Sequence, residues 1–169
     1  MAEAASSSAT LSTTGRGVLV TGGGQRLGAA VCEAFAHAGW QVWCQYRASR
    51  TAAVALCERL SAEGFAATAV EADIGDEASR AALVAQVSQA APLACIVNNA
   101  SAFEPDTGLD FDPDAALRQL GVNLIAPMSF ARLLAKLPAD GVDRSAIHIL
   151  DQKVYNLNPD YFSYTVSKL

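Results

Sequence analysis

Short apolar runs alternate along this chain with longer stretches whose apolar residues recur every three or four positions. "GVLVT" (Gly17–Thr21) ends at three glycines, which predicts a buried strand and a turn. After it, Leu27, Ala30, Val31, Ala34, Phe35 and Ala38 fall on one predicted helical face, and Gly39 stops it. "WQVWCQY" (Trp40–Tyr46) is the second predicted strand. The helix that follows carries Ala53, Leu56, Cys57 and Leu60 on one face and stops at Gly64. "AATAV" (Ala66–Val70) is the third strand, and a helix is expected from about Glu77 to Ala90. "LACIVNN" (Leu93–Asn99) is the fourth strand. A polar stretch, "EPDTGLDFDPD", leads to a long helix from about Pro113 to Lys136. "AIHIL" (Ala146–Leu150) is the fifth strand, and a last helix is expected to begin near Pro159 or Tyr161.

The order is β-α-β-α-β-α-β-α-β. Apolar strands without clean alternation are buried on both faces, so a parallel sheet follows. Right-handed crossovers then give a doubly wound, three-layer α/β/α sheet of Rossmann type. Residues 1–15, rich in Ala, Ser and Thr, are expected to be a disordered tail, and 16–169 one nucleotide-binding domain.

Composition narrows the function. A formal charge of −5 argues against nucleic acid or an anionic membrane as partner. No run is long and apolar enough to be a transmembrane or signal segment. Cys32, Cys44, Cys57 and Cys95 lack the spacing of a metal knuckle and each lies in an apolar stretch. They are expected to be inert core thiols, and the compartment reducing and cytoplasmic. His148, between two isoleucines, is expected to be a hydrogen-bonded core residue.

"TGGGQRLG" (Thr21–Gly28) sits between the first strand and the first helix. Glycines let the backbone approach a ligand, and a helix N-terminus favours a phosphate. Gly22, Gln25, Arg26 and Leu27 are therefore candidate cofactor contacts. The second strand ends in "YRAS" (Tyr46–Ser49), where an NAD-binding fold would carry an acid for the ribose hydroxyls. Arg47 and Ser49 stand there instead and suit a 2′-phosphate, with Tyr46 a further cofactor contact, so the expected cofactor is NADPH/NADP+. Asp73 and Ile74, after the third strand, could hold the edge and face of an adenine.

Tyr164 and Lys168 lie four apart, on one helical face. A free phenol has a pKa of about 10, and bringing it near 7 needs roughly 4 kcal/mol. An ammonium about 4 Å away at an effective dielectric of 20 supplies about that. Lys168 is thus expected to lower the pKa of Tyr164.

With these motifs in order, the chain from about Gly17 to Leu169 resembles the short-chain dehydrogenase/reductases. The carriers are the glycine turn, "NNA" (Asn98–Ala100), Asn123 in the long helix, and "YTVSK". The resemblance implies Tyr164 as general acid/base, Lys168 on the nicotinamide ribose as well, and Asn123 shaping a proton relay. It also implies that Asn99, Ala100 and Ser101 support the cofactor. Members continue beyond the Tyr/Lys helix, so the chain is expected to be C-terminally truncated.

The family pattern has Ser thirteen residues before the Tyr; here Asp151 stands there. A carboxylate repels the alkoxide formed in ketone reduction unless its pKa is raised. Reduction of a C=N bond suits an acceptor, since a flat heterocycle presents N–H and NH₂ groups. Together with "QRLG" and "NNASAF", this resembles the pteridine reductase branch. That implies Phe103 stacking on a pterin, with Ser101, Asp151 and Tyr164 as its polar contacts and Arg26 reaching both pterin and cofactor. Tyr155, Leu157 and Phe162 could line the pocket. The expected function is NADPH-dependent reduction of a pterin or related heterocycle by a homo-tetramer or dimer. Carbonyl reduction with Asp151 protonated, and a non-catalytic NADP(H)-binding protein, are the alternatives.

Overall fold

The computed structural model describes residues 15–152 and 155–169. Apart from Gly15, the tail expected over residues 1–15 lies outside the described residues, as do Lys153 and Val154.

Five parallel strands form one sheet: β1 (Gly17–Val20), β2 (Gln41–Tyr46), β3 (Ala67–Glu71), β4 (Leu93–Asn98) and β5 (Ser145–His148). Their spatial order is β3-β2-β1-β4-β5. The chain winds outward from β1 through β2 to β3, then returns to the other side of β1 with β4 and β5. The order reverses between β1 and β4, and a crevice opens there at the carboxyl ends of the strands. The α/β expectation holds.

Side-chain alternation along the strands splits the core in two. Val18, Val20, Val42, Cys44, Cys95 and Val97 face α1 (Arg26–His37) and α2 (Arg50–Ala62). Leu19, Trp43, Val70, Leu93 and Ile96 face α3 (Glu77–Ala90) and α5 (Ala126–Ala135). All four cysteines are free and buried. A hydrogen bond with Cys32, together with burial, pushes the Cys44 thiol up to about 12; burial pushes Cys95 up to about 11. Cys44 and Cys95 therefore stay protonated at neutral pH.

Burial departs from the sequence reading at two places. The buried positions of α1 are Gly28, Cys32 and Ala36, while Leu27, Ala30, Ala34 and Ala38 are exposed. The helix approaches the sheet so closely that small residues are needed, and hydrophobic periodicity does not register small residues. Strand β5 forms the edge of the sheet, so Ile147, His148 and Leu150 are exposed rather than buried. His148 Nδ1 lies 3.4 Å from Asn98 Nδ2 but is not a core group. In α2, Ala53, Leu56, Cys57 and Leu60 are buried as expected.

The long helix forms in three parts: α4 (Pro113–Leu120), a π-helical turn (Gly121–Ile125) and α5. Asp112 caps its start by accepting from the Asp114 amide at 3.0 Å. Pro127 has no N–H to offer the Asn123 carbonyl four residues back, which favours the wider turn. The last helix, α6 (Phe162–Lys168), buries Ser163, Tyr164, Thr165 and Ser167.

Candidate functional site

The loops after the first four strands converge on the crevice at the switch point. After β1, Gly22 adopts φ +61, and a Cβ on Gly28 would stand 2.2 Å from the Gly22 carbonyl oxygen. The turn therefore folds back on the first turn of α1 without side chains between them. Arg26 holds the left-handed backbone, φ 50, which a non-glycine residue rarely adopts. Its exposed side chain is carried at the mouth of the crevice.

The glycine turn is welded to the turn after β4. Thr21 Oγ1 accepts from the amides of Asn99 and Ala100, each at 3.0 Å. Asn99 Nδ2 donates to the carbonyls of Thr21 and Gly22 at 3.0 and 3.1 Å. From the β2 side, Gln45 is 2% exposed, and its Oε1 accepts from the Gly22 amide at 2.9 Å while its Nε2 donates to Ala72 at 2.7 Å. One side chain thus ties the glycine turn to the loop after β3. In that loop Asp73 accepts from the Gly75 amide at 2.9 Å, and Asp76 caps α3. The buried guanidinium of Arg80 donates to the Ile74 carbonyl.

A cavity of about 590 Å³ results, lined by Gly22, Gln25, Arg26, Leu27, Tyr46, Arg47, Ser49, Asp73, Ile74, Asn99, Ala100 and Ser101. Its backbone-walled glycine end, with Arg26 and Arg47 at the rim, fits a phosphorylated dinucleotide. Tyr164 and Lys168, also expected at the cofactor, do not line this cavity. They stand beyond Ser101, across the Asn123 network.

In that network Asn123 is buried and its amide is saturated. Oδ1 accepts from Ser101 Oγ at 3.1 Å and from the Ala102 amide at 2.8 Å. Nδ2 donates to the Ala102 carbonyl and to Ser167 Oγ, both at 2.8 Å. Ser167 belongs to α6, so the amide joins the π turn, the β4 loop and the Tyr164 helix.

Tyr164 donates its phenol proton to Asp151 Oδ2 at 2.6 Å, within charge-assisted range. This corrects the electrostatic expectation. Burial first, then the bond to Asp151 and its charge, push the phenol up to about 12, with Ser101 opposing. The Lys168 ammonium is 5.8 Å from the Tyr164 ring centroid and donates to the Ile149 carbonyl at 3.3 Å. Burial lowers its pKa, against Asp151. Burial and the carboxylate together set the direction of the shift.

Phe103 packs edge-on to Tyr164, with centroids 4.6 Å apart, and stacks on Tyr161 at 4.3 Å and 7°. Tyr155, Leu157 and Phe162, considered as pocket residues, are exposed and do not line the crevice; the aromatic of this segment that meets Phe103 is Tyr161. Sequence reasoning also missed Gln45 and Arg80. A polar residue inside an apolar strand was the available signal for Gln45.

Residues 16–168 match the short chain dehydrogenase family. FolM alternative dihydrofolate reductase 1 from Brucella canis, solved with NADP, is 36% identical and superimposes with a TM-score of 0.85 over 92% of this chain and 63% of that one. A gluconate 5-dehydrogenase from Burkholderia cenocepacia, solved with NADP and tartrate, is 26% identical, with a TM-score of 0.82 over 92% and 61%. Among curated proteins, the short chain dehydrogenase tazN of Aspergillus terreus is 32% identical over 94% of this chain and 36% of its own length. The chain spans about a third of the length of that relative and under two thirds of those structures.

Proposed function

Since the chain belongs to the short-chain dehydrogenase family, we propose that it is the catalytic part of an NADPH-dependent reductase acting on a pterin or a related flat N-heterocycle. The observation that carries this reading is the Tyr164–Asp151 bond of 2.6 Å. The Brucella canis protein, bound to NADP and named a dihydrofolate reductase, supports it.

In this reading Arg26, Arg47 and Ser49 meet the 2′-phosphate, and Asp73 and Ile74 hold the adenine. Gly22 and the Asn99–Ser101 turn bring the nicotinamide toward Tyr164. When bound, NADPH supplies a hydride to the carbon of the substrate's C=N bond. The nitrogen must then gain one proton. Tyr164, kept protonated by burial and by Asp151, donates it from Oη. Asp151 stays ionised and accepts from the heterocycle's N–H groups, while the phenolate regains its proton from solvent. Lys168 stabilises that phenolate and holds the ribose. The Asn123 amide is fully used within the protein, so any relay through this residue runs through its main-chain carbonyl. Phe103 offers a face for stacking.

The test is kcat/KM of the full-length protein for a 7,8-dihydropterin and for a small ketone. Asp151→Ser should impair dihydropterin reduction and spare or improve ketone reduction, because Ser restores a neutral donor for an alkoxide but takes away the carboxylate. Unchanged dihydropterin reduction in Asp151→Ser refutes the substrate class. Phe103→Ala should cost the flat substrate more than the ketone, as ring stacking is worth roughly 1–3 kcal/mol.

A further inference from the structure

The segment that carries Phe103 is held at every second residue. Ala102 is gripped through both its amide and its carbonyl by Asn123, at 2.8 Å each. The Glu104 amide donates to Gln119 Oε1 at 3.2 Å. Gln119 lies four residues before Asn123, hence on the same helical face, and is fully buried. Among the described residues its Nε2 has no hydrogen-bond partner, so the side chain is kept inside at a cost that its oxygen's contact with the loop helps offset.

Asp106 completes the series. It is half-buried in a loop whose next residues are exposed. Its Oδ1 accepts from the Ser163 amide at 3.0 Å. Its own amide donates to the Asp160 carbonyl at 3.2 Å, and its carbonyl accepts from Phe162 at 3.3 Å. Three bonds thus tie Asp106 to the start of α6, which has no side-chain cap of its own. Phe103 sits between two pinned residues, stacked on Tyr161 and edge-on to Tyr164.

We propose that Gln119 and Asp106 are positioning residues: with Asn123 they pin Ala102–Asp106 at alternate residues and lock the Phe103 ring to the Tyr164 helix. The part of this that concerns flat substrates rests on the function proposed above. The loop and α6 then move as one body, so the distance between the stacking face and the proton donor stays constant during binding.

The experiment uses the full-length protein, NADPH titration, and steady-state kinetics with a 7,8-dihydropterin and a small ketone. Asp106→Leu and Gln119→Leu should each lower kcat/KM for the dihydropterin about tenfold while the NADPH Kd stays within twofold. Asp106→Asn keeps an acceptor oxygen and should restore most of the activity. Glu104→Pro deletes the amide from which Gln119 accepts, at an exposed position, and should reproduce Gln119→Leu, with Glu104→Ala as the control for the carboxylate that faces Arg118. In a Phe103→Ala background, Gln119→Leu should add nothing further to KM. Kinetics within twofold of the unmodified protein in Asp106→Leu and Glu104→Pro would overturn the proposal. So would an Asp106→Asn variant as impaired as Asp106→Leu, or additive losses with Phe103→Ala. If the unmodified protein reduces the ketone and not the dihydropterin, the substrate reading fails by itself. Asp106→Leu must then still lower kcat for the ketone through α6, and an unchanged kcat there overturns the positioning role.

Discussion

Gln45 binds Gly22: its side-chain oxygen takes the Gly22 amide proton at 2.9 Å, from a position 2% exposed in the middle layer of the protein. The same side chain donates to Ala72 at 2.7 Å. Gln45→Leu leaves both backbone groups without that partner, at a cost of about 1–3 kcal/mol each where they remain dry. Thermal melts should show a loss of several degrees. NADPH titration should show a Kd raised about tenfold, because the turn that meets the phosphates is no longer braced. An unchanged Kd would mean that the brace serves folding alone.

Arg26 stores backbone strain. A non-glycine residue at φ 50 costs roughly 1–2 kcal/mol relative to its preferred regions. Arg26→Gly should raise the melting temperature by a degree or a few, the relief being reduced by the greater freedom of glycine in the unfolded chain. Arg26→Ala should not raise it. Both should weaken NADPH, since both remove the guanidinium. A higher melting temperature with undiminished NADPH affinity in Arg26→Gly would separate the strain from cofactor binding.

Tyr164 should titrate late. Its phenol is pushed up to about 12, above the ordinary value of 10. The folded state therefore binds this proton more tightly than the unfolded chain does. The associated stability is fully present below about pH 10 and is lost as pH rises through 12. As a proton donor in reduction, Tyr164 is active below its pKa and inactive above it. Burial is the larger cause, but Asp151→Asn removes the charge that adds to it, so the alkaline limb of kcat/KM should move to lower pH. The ultraviolet difference spectrum between Asp151→Asn and its Tyr164→Phe derivative should show the same movement. A limb that stays in place would assign it to another group.

Arg47→Asp should weaken NADPH at least about tenfold more than NADH. A charge-assisted contact is lost, and a repulsion toward the 2′-phosphate is added. Calorimetric titration with both cofactors decides it, and parallel losses would remove Arg47 from the phosphate site.

The sequence by itself determined the order of strands and helices, the glycine turn, the "NNA" turn, and the pairing of Tyr164 with Lys168. These features are local. A strand, a cap or an i, i+4 pair is written in neighbouring residues, and the carboxyl-end rule then places the loops on one side of the sheet. Asp151 was legible as well, because its acid interrupts an apolar run and stands where the family it resembles carries Ser, thirteen residues before the Tyr.

Only the tertiary structure decided which groups face each other across long separations. Gln45 meets Gly22 and Ala72, Gln119 meets Glu104, and Asp106 meets Ser163. The buried face of α1 was misread because Gly28, Cys32 and Ala36 face inward for their small size, which a hydrophobic pattern does not weigh. The direction of the Tyr164 shift was also beyond the motif. Burial and the Asp151 carboxylate 2.6 Å from the phenol raise its pKa, and neither is contained in an i, i+4 spacing.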